Sequence, residues 1–225
     1  MQMNPHMTQQ THSARLLASA TDVWQAMQAH RFVVDIERDQ LPAEAFARYL
    51  SYEGRFVETA MAIFGYALVK ADTIAHKHWL IGVLNALSTE QVPYFERTLA
   101  ALNLPAAHDD APLPAAVAAF DSGMLEIARN GTYEEVIVSM LAAEWMYGTW
   151  CTRADQTPSR NPFVREWVAL HAEPTFLSQV QWLKDQVDGW SEQRFDFARS
   201  SAIFRKVLAL EIDFHSACYA ALTLS

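Results

Sequence analysis

The run from Pro42 to about Ala71 constrains this chain most. Phe46, Tyr49, Leu50, Phe56, Val57, Ala60, Ile63 and Phe64 recur along it at spacings of three and four, the period of one helix face and not of a strand. Pro42 falls in the first turn, where the missing N–H has no partner to lose. A helix this long with one apolar side must be covered along its length by other elements.

The rest of the chain is punctuated in the same idiom. Ser13 to Ala29 reads as a helix and is followed by HRFVVDIERDQL. Asp72-Thr73 caps a helix to about Leu87, and Ser88 or Thr89 opens another to about Leu102 with Pro93 near its start. Leu113 to Asn130 ends on Asn-Gly, a helix-stop and turn pair. Thr132, followed by Glu134 and Glu135, starts a helix to about Thr152, its acidic residues at the favourable end of the dipole. Asn161-Pro162 begins a helix to Ala172, Pro174 one to about Gly189, and Ser191 leads the last, ending near Ala221. Only 106–114 and 154–162 have loop composition. No segment alternates apolar and polar residues, so the expectation is an all-α, single-domain bundle of eight or nine helices over 13–225, after a flexible segment 1–12.

Composition narrows the function classes. Hydrophobic residues are 51% and charged ones 19%, with seven Trp and twelve Phe. That implies a large core, or apolar surface covered by other subunits. A net charge of -9 without any Lys/Arg-rich run repels phosphate backbones and argues against nucleic-acid binding. No uninterrupted apolar stretch reaches membrane-spanning length, and the N-terminus lacks a basic start followed by an apolar run, so a cytoplasmic location is expected. Cys151 and Cys218 are too few for a disulfide framework or a thiolate metal site.

Three glutamates interrupt apolar helices: Glu53 in YLSYEGRF, Glu144 in SMLAAEWMY and Glu211 in LALEIDFHSACY. A carboxylate in such a setting either reaches solvent or serves a pocket, and the residues alone leave both readings open. His76 and His78, two apart on a helix, cannot share an ion. Glu211 and His215, four apart, share a face; with Glu144 and His171 they make up the alternative of a metal-dependent oxidase, although no Glu-x-x-His unit accompanies them.

Beyond this point a family resemblance speaks. HRFV (30–33), QLPAEAF (40–46) and YLSYEGRF (49–56), then LAAEWMY (141–147), WVALH (167–171) and EIDFH (211–215) occur in the order of the motifs of the TenA (thiaminase II) family, covering about 30–220. The resemblance implies a haem-oxygenase-like helical bundle, assembly as a homo-oligomer (dimer or tetramer), no metal, no organic cofactor, and action on the aminopyrimidine half of thiamin or its breakdown products. It places Glu53 where the family has the Asp that grips the pyrimidine edge. Phe56, Phe120 and His171 stand at family Tyr positions, while Tyr147, Phe214 and Glu211 match the family's residues.

The family's nucleophilic Cys falls on Ala143. Cys151 lies eight residues further along the same helix, roughly 12 Å away along the axis, and reads as packing. The chain therefore resembles the branch of the family that lacks the Cys and carries a Glu in the neighbouring helix position, here Glu144, a branch associated with hydrolysis of aminomethyl-pyrimidine salvage compounds. On that reading Glu211 is the general acid and Glu144 the water-activating base, with the two roles exchangeable on sequence grounds. Glu53, Phe56, Phe120, Ala143, Tyr147, His171 and Phe214 bind the substrate. A non-catalytic aminopyrimidine-binding or regulatory member of the family is the other alternative.

Overall fold

A computed structural model describes residues 10–105 and 112–220. Among these residues every regular element is helical: α1 His12–Ser19, α2 Thr21–Gln28, α3 Arg31–Glu37, α4 Ala43–Lys70, α5 Ile74–Ala86, α6 Val92–Ala101, α7 Ala115–Asn130, α8 Tyr133–Ala154, α9 Pro162–Ala172, α10 Pro174–Asp188 and α11 Phe197–Ala217. The all-α expectation holds. The loop expected over 106–114 falls largely outside the described residues.

The helix starts obey local chemistry. Thr11, Thr73, Thr132, Asn161 and Asp196 each accept a hydrogen bond from a backbone N–H of the following turn, satisfying groups that a helix start leaves without partners. Four boundaries differ from the expectation. The first helix is two, broken at Ala20, where the Ser19 and Thr21 hydroxyls bond back to carbonyls of the preceding turn and compete with the ladder. It also begins at His12, whose buried ring donates to the Trp190 carbonyl, inside the segment expected to be flexible. Ser88 and Thr89 do not open a new helix; a π-helical turn, Leu87–Gln91, carries α5 into α6, with the Thr89 hydroxyl bonded to the Asn85 carbonyl. The last helix starts at Phe197, because Asp196 and not Ser191 supplies its cap.

Helix α8 is the axis of the bundle. It packs against α11, α10, α9, α4, α7, α3 and α2, and an almost unbroken buried run, Val136 to Ala142 and Met146 to Gly148, accounts for its lack of a polar face. Gly148 lets α10 approach: a side chain there would press on Leu177, Val180 and Phe176. Helices α4 and α11 each pack on α8 and on α7, and the core includes the fully buried rings of Tyr49, Phe120, Trp150, Trp167 and Phe214. The interrupting glutamates of the sequence lie on α4, α8 and α11.

Candidate active site

Glu53 of α4, Glu144 of α8 and Glu211 of α11 come near enough inside the bundle to bear on one another's ionisation. Glu211 is 1% exposed. Glu53 and Glu144 are half-buried as residues, yet each has its Oε2 sealed from solvent, and Oε2 of all three glutamates lacks a hydrogen-bond partner. Burial pushes the Glu53 and Glu144 carboxyls up to about 8, Glu53 further assisted by the charge of Glu144. Glu211, buried and facing both of the others, is raised well above the usual carboxylate range. Three carboxyls in one low-dielectric space cannot all ionise, so protons stay on them at neutral pH. Unpartnered carboxyl oxygens cost stability; a fold that keeps three together holds acceptors and acids ready for a ligand rich in N–H groups and basic nitrogens.

Aromatic rings pack together on α4, α7, α8 and α11. Phe56 and Phe120 lie with centroids 4.4 Å apart, and Phe120 and Phe214 5.0 Å. Tyr49, one turn before Glu53 on α4, hydrogen-bonds through its hydroxyl to that of Tyr147 (3.2 Å), and Tyr147 reaches His215 Nε2 at 3.4 Å. His215 Nδ1 donates to the Glu211 backbone carbonyl at 2.7 Å and lies 3.6 Å from its carboxyl Oε2. Burial lowers this imidazole to about 3, so it is neutral. The sequence reading did not single out Tyr49, and the signal was available, since it sits four residues before Glu53 on the same helix face.

Of the other expected site residues, Ala143 is half-buried one turn before Tyr147 on the same side of α8. His171 stands behind Tyr147, centroids 5.4 Å apart, stacked on Trp167 at 4.3 Å and edge-on to Phe176. Its Nδ1 donates to the Trp167 carbonyl at 2.9 Å, and burial lowers it to about 4. Its described contacts are with Tyr147 and the aromatic core, not with the carboxyls. Cys151 is fully buried, with its thiol pushed up by burial, as packing requires. Among the described residues no three His, Cys, Asp or Glu side chains stand close enough to share a metal ion. The set Glu144, His171, Glu211 and His215, on which the oxidase alternative rests, is therefore not assembled.

Fold and site together define a class, an all-helical protein with buried carboxyls and clustered aromatic rings on its central helices. Residues 17–221 match the model of the TENA/THI-4/PQQC family, and the chain belongs to that family. It is 24% identical over 214 residues to an aminopyrimidine aminohydrolase of Halalkalibacterium halodurans, covering 92% of this chain and 95% of that one. Its fold superimposes on a TenA homologue from P. horikoshii OT3 with a TM-score of 0.85 at 20% identity, covering 93% of this chain and 98% of the other. A TenA family transcription regulator from Silicibacter sp. TM1040 gives the same TM-score, 0.85, at 20% identity, covering 93% and 96% of the two chains. The bundle is the haem-oxygenase-like fold of these proteins, and no helix among the described residues is long and apolar enough to cross a membrane.

Proposed function

We propose that the chain is a thiamin-salvage hydrolase that converts an aminomethyl-aminopyrimidine to the hydroxymethyl-pyrimidine and a free amine. The observation that carries this is the meeting of three protonatable carboxyls, each with a free oxygen, against a wall of phenylalanines. The aminopyrimidine aminohydrolase name of the Halalkalibacterium relative supports it.

A planar aminopyrimidine stacks on Phe56, Phe120 and Phe214, with the ring of Tyr147 alongside. Its edge presents a ring nitrogen beside an exocyclic amine. A neutral carboxylic acid complements that pair, its O–H donating to the ring nitrogen while its carbonyl accepts from the amine. Glu53, raised to about 8, is such an acid at neutral pH.

The aminomethyl arm then lies towards Glu144 and Glu211. Glu211, held well above the usual carboxylate range by burial, gives its proton to the departing nitrogen as the C–N bond breaks and its electron pair leaves with the nitrogen. Water forms the new C–O bond and loses its proton to Glu144, whose value near 8 suits a base working close to its own pKa. That proton returns from Glu144 to Glu211 once the amine has left, so no oxidant, metal or covalent intermediate is drawn on. Ala143 offers no nucleophile, so the attacking group is water and not a thiolate.

The test is a steady-state comparison of the three Glu→Gln variants on an aminomethyl-aminopyrimidine. Glu211→Gln and Glu144→Gln are expected to lower kcat by about a hundredfold or more, the scale of general acid–base catalysis. Glu53→Gln is expected to act mainly through KM. Turnover by wild type that none of the three substitutions changes would remove the carboxyls from the reaction.

A further inference from the structure

Phe120 of α7 joins two sides of the aromatic cluster. Its ring lies 4.4 Å from that of Phe56 on α4 and 5.0 Å from that of Phe214 on α11, centroid to centroid, and the residue is 2% exposed. Where it stands depends on how α7 is held, and two features beside it hold that helix. Towards α11, Gly123 lies one turn after Phe120. The helices approach so closely there that a Cβ on Gly123 would come within 2.9 Å of Leu210 Cδ1, on the residue before Glu211. Towards α4, the Thr59 hydroxyl donates a hydrogen bond to Oδ1 of the Asp121 carboxylate. Thr59 follows Phe56 by one turn of α4, and Asp121 follows Phe120 directly. The polar tie and the ring pair therefore belong to the same crossing of α4 and α7, and both tie residues are half-buried.

We infer that Thr59 and Asp121 are positioning residues for the substrate ring, because their hydrogen bond sets the separation and tilt of Phe56 and Phe120. The inference rests on the proposed stacking of an aminopyrimidine on these rings.

The physical reason lies in the different character of the two contacts. Apolar burial holds α4 and α7 together without fixing their register, since it has no preferred direction. A hydroxyl donating to a carboxylate is directional and stronger than a neutral pair. Rings follow the helix from which they project, and stacking strength depends on their offset and tilt. Other ties between the two helices stand further along. Arg129 Nε donates to the Tyr66 hydroxyl at 3.2 Å, and Lys70 Nζ to the Arg129 carbonyl at 3.1 Å. Tyr66 lies two turns beyond Thr59, roughly 10 Å along the axis. Those bonds keep the helices paired; the one at Thr59 sets their register where the rings meet. Acting through the rings, it bears on binding and leaves the chemical step alone.

The experiment measures KM and kcat on an aminomethyl-aminopyrimidine, and by calorimetry the Kd of an unreactive aminopyrimidine without the aminomethyl arm. Thr59→Val keeps the β-branched shape and removes the donor, while Asp121→Ala removes the acceptor with a residue that helices favour. Thr59→Ser and Asp121→Asn each keep the bond. Tyr66→Phe breaks the bond from Arg129 and controls for a general loosening of the helix pair. Thr59→Val and Asp121→Ala are expected to raise KM and Kd about three- to tenfold, the size of one aromatic stacking interaction, with kcat within about twofold of wild type. Thr59→Ser, Asp121→Asn and Tyr66→Phe are expected to stay within about twofold of wild type in all three quantities. If Thr59→Val fails to fold, Asp121→Ala set against Asp121→Asn carries the comparison. Unchanged KM and Kd in a folded variant that lacks the tie, or the same rise in Tyr66→Phe, overturns the positioning role. Because Kd needs no turnover, failure of the hydrolase reading appears separately, as ring binding with the expected pattern among the variants but no product, which leaves the inference standing. A wild type that binds no aminopyrimidine ring overturns the inference together with the stacking on which it rests.

Discussion

Raising the pH of the ligand-free protein from 6.5 to 8 is expected to destabilise it, in the opposite sense to most proteins that gain from ionised carboxylates. Glu53, Glu144 and Glu211 have folded-state values raised from 4.5, the first two to about 8. Their stabilisation is fully present below 4.5 and is lost as pH climbs through the folded values, because the unfolded chain releases these protons first.

The buried histidines work the other way. His30, His171 and His215 are lowered from 6.5, the last two to about 4 and about 3, so stability is lost as pH falls below 6.5 and the unfolded chain takes up protons that the folded one refuses. Between 4.5 and 6.5 three carboxyls and three imidazoles oppose each other. Asp22, Asp39, Asp72 and Glu134 are lowered, and their contribution is complete above the unfolded carboxylate range. Above 6.5 the three glutamates act unopposed.

At about 1.4 kcal/mol per unit, a carboxyl that keeps its proton across this window costs about 2 kcal/mol, and the three together roughly 5 kcal/mol. For a chain of this size each kcal/mol moves Tm by about 2–4 °C. Calorimetry or dye-monitored melting at constant ionic strength should therefore show Tm falling by about 10 °C or more from pH 6.5 to pH 8. Glu53→Gln and Glu211→Gln should each remove roughly a third of that fall. A wild-type Tm that is flat or rises over the window, or Gln variants with an undiminished slope, would refute the picture of three interior carboxyls holding their protons.

Three further outcomes follow from the site. The kcat/KM profile should peak near pH 8, where Glu144 has begun to ionise and Glu53 has begun to lose its proton; Glu53→Gln should extend its alkaline limb, and a profile that peaks near pH 5 would contradict these assignments. Ala143→Cys should fold and react with an alkylating agent, and bound substrate analogue should protect it; labelling unaffected by ligand would put Ala143 outside the site. Cys151→Ser should leave turnover within about twofold and cost about 1 kcal/mol, since that sulfur is fully buried away from the carboxyls; a large loss of kcat in a stable variant would reopen the question of the nucleophile.

Much of the fold was legible because helices announce themselves locally. The three-and-four pattern of Phe46 to Phe64 and the caps at Thr73, Thr132 and Asn161 lie within a few residues of what they determine. The break at Ala20 and the π turn at Leu87–Gln91 were not legible, because each depends on hydroxyls choosing a carbonyl of the preceding turn over solvent. For the site, Glu53, Glu144 and Glu211 stood out as charges in apolar helices, and the family's motif order named them together. That they face one another is a matter of how α4, α8 and α11 pack, which no single helix encodes. His171 is a carried-over position whose neighbours are aromatic rings. It occupies a family Tyr position, yet its ring is engaged by Trp167 and Phe176 behind Tyr147. Tyr49 and the direction of the Tyr147–His215 hydrogen bond emerge only once donors and acceptors are placed.

The most direct measurement of the central claim is product analysis by mass spectrometry after incubating the purified chain with an aminomethyl-aminopyrimidine in ¹⁸O-labelled water. The account predicts equal amounts of free amine and hydroxymethyl-pyrimidine, with one labelled oxygen in the hydroxymethyl group. It also predicts turnover reduced by about a hundredfold or more in Glu211→Gln and little or no cleavage of thiamin under the same conditions. Efficient thiamin cleavage by wild type, or absence of any hydroxymethyl product from a protein that melts with the pH dependence described above, would contradict it.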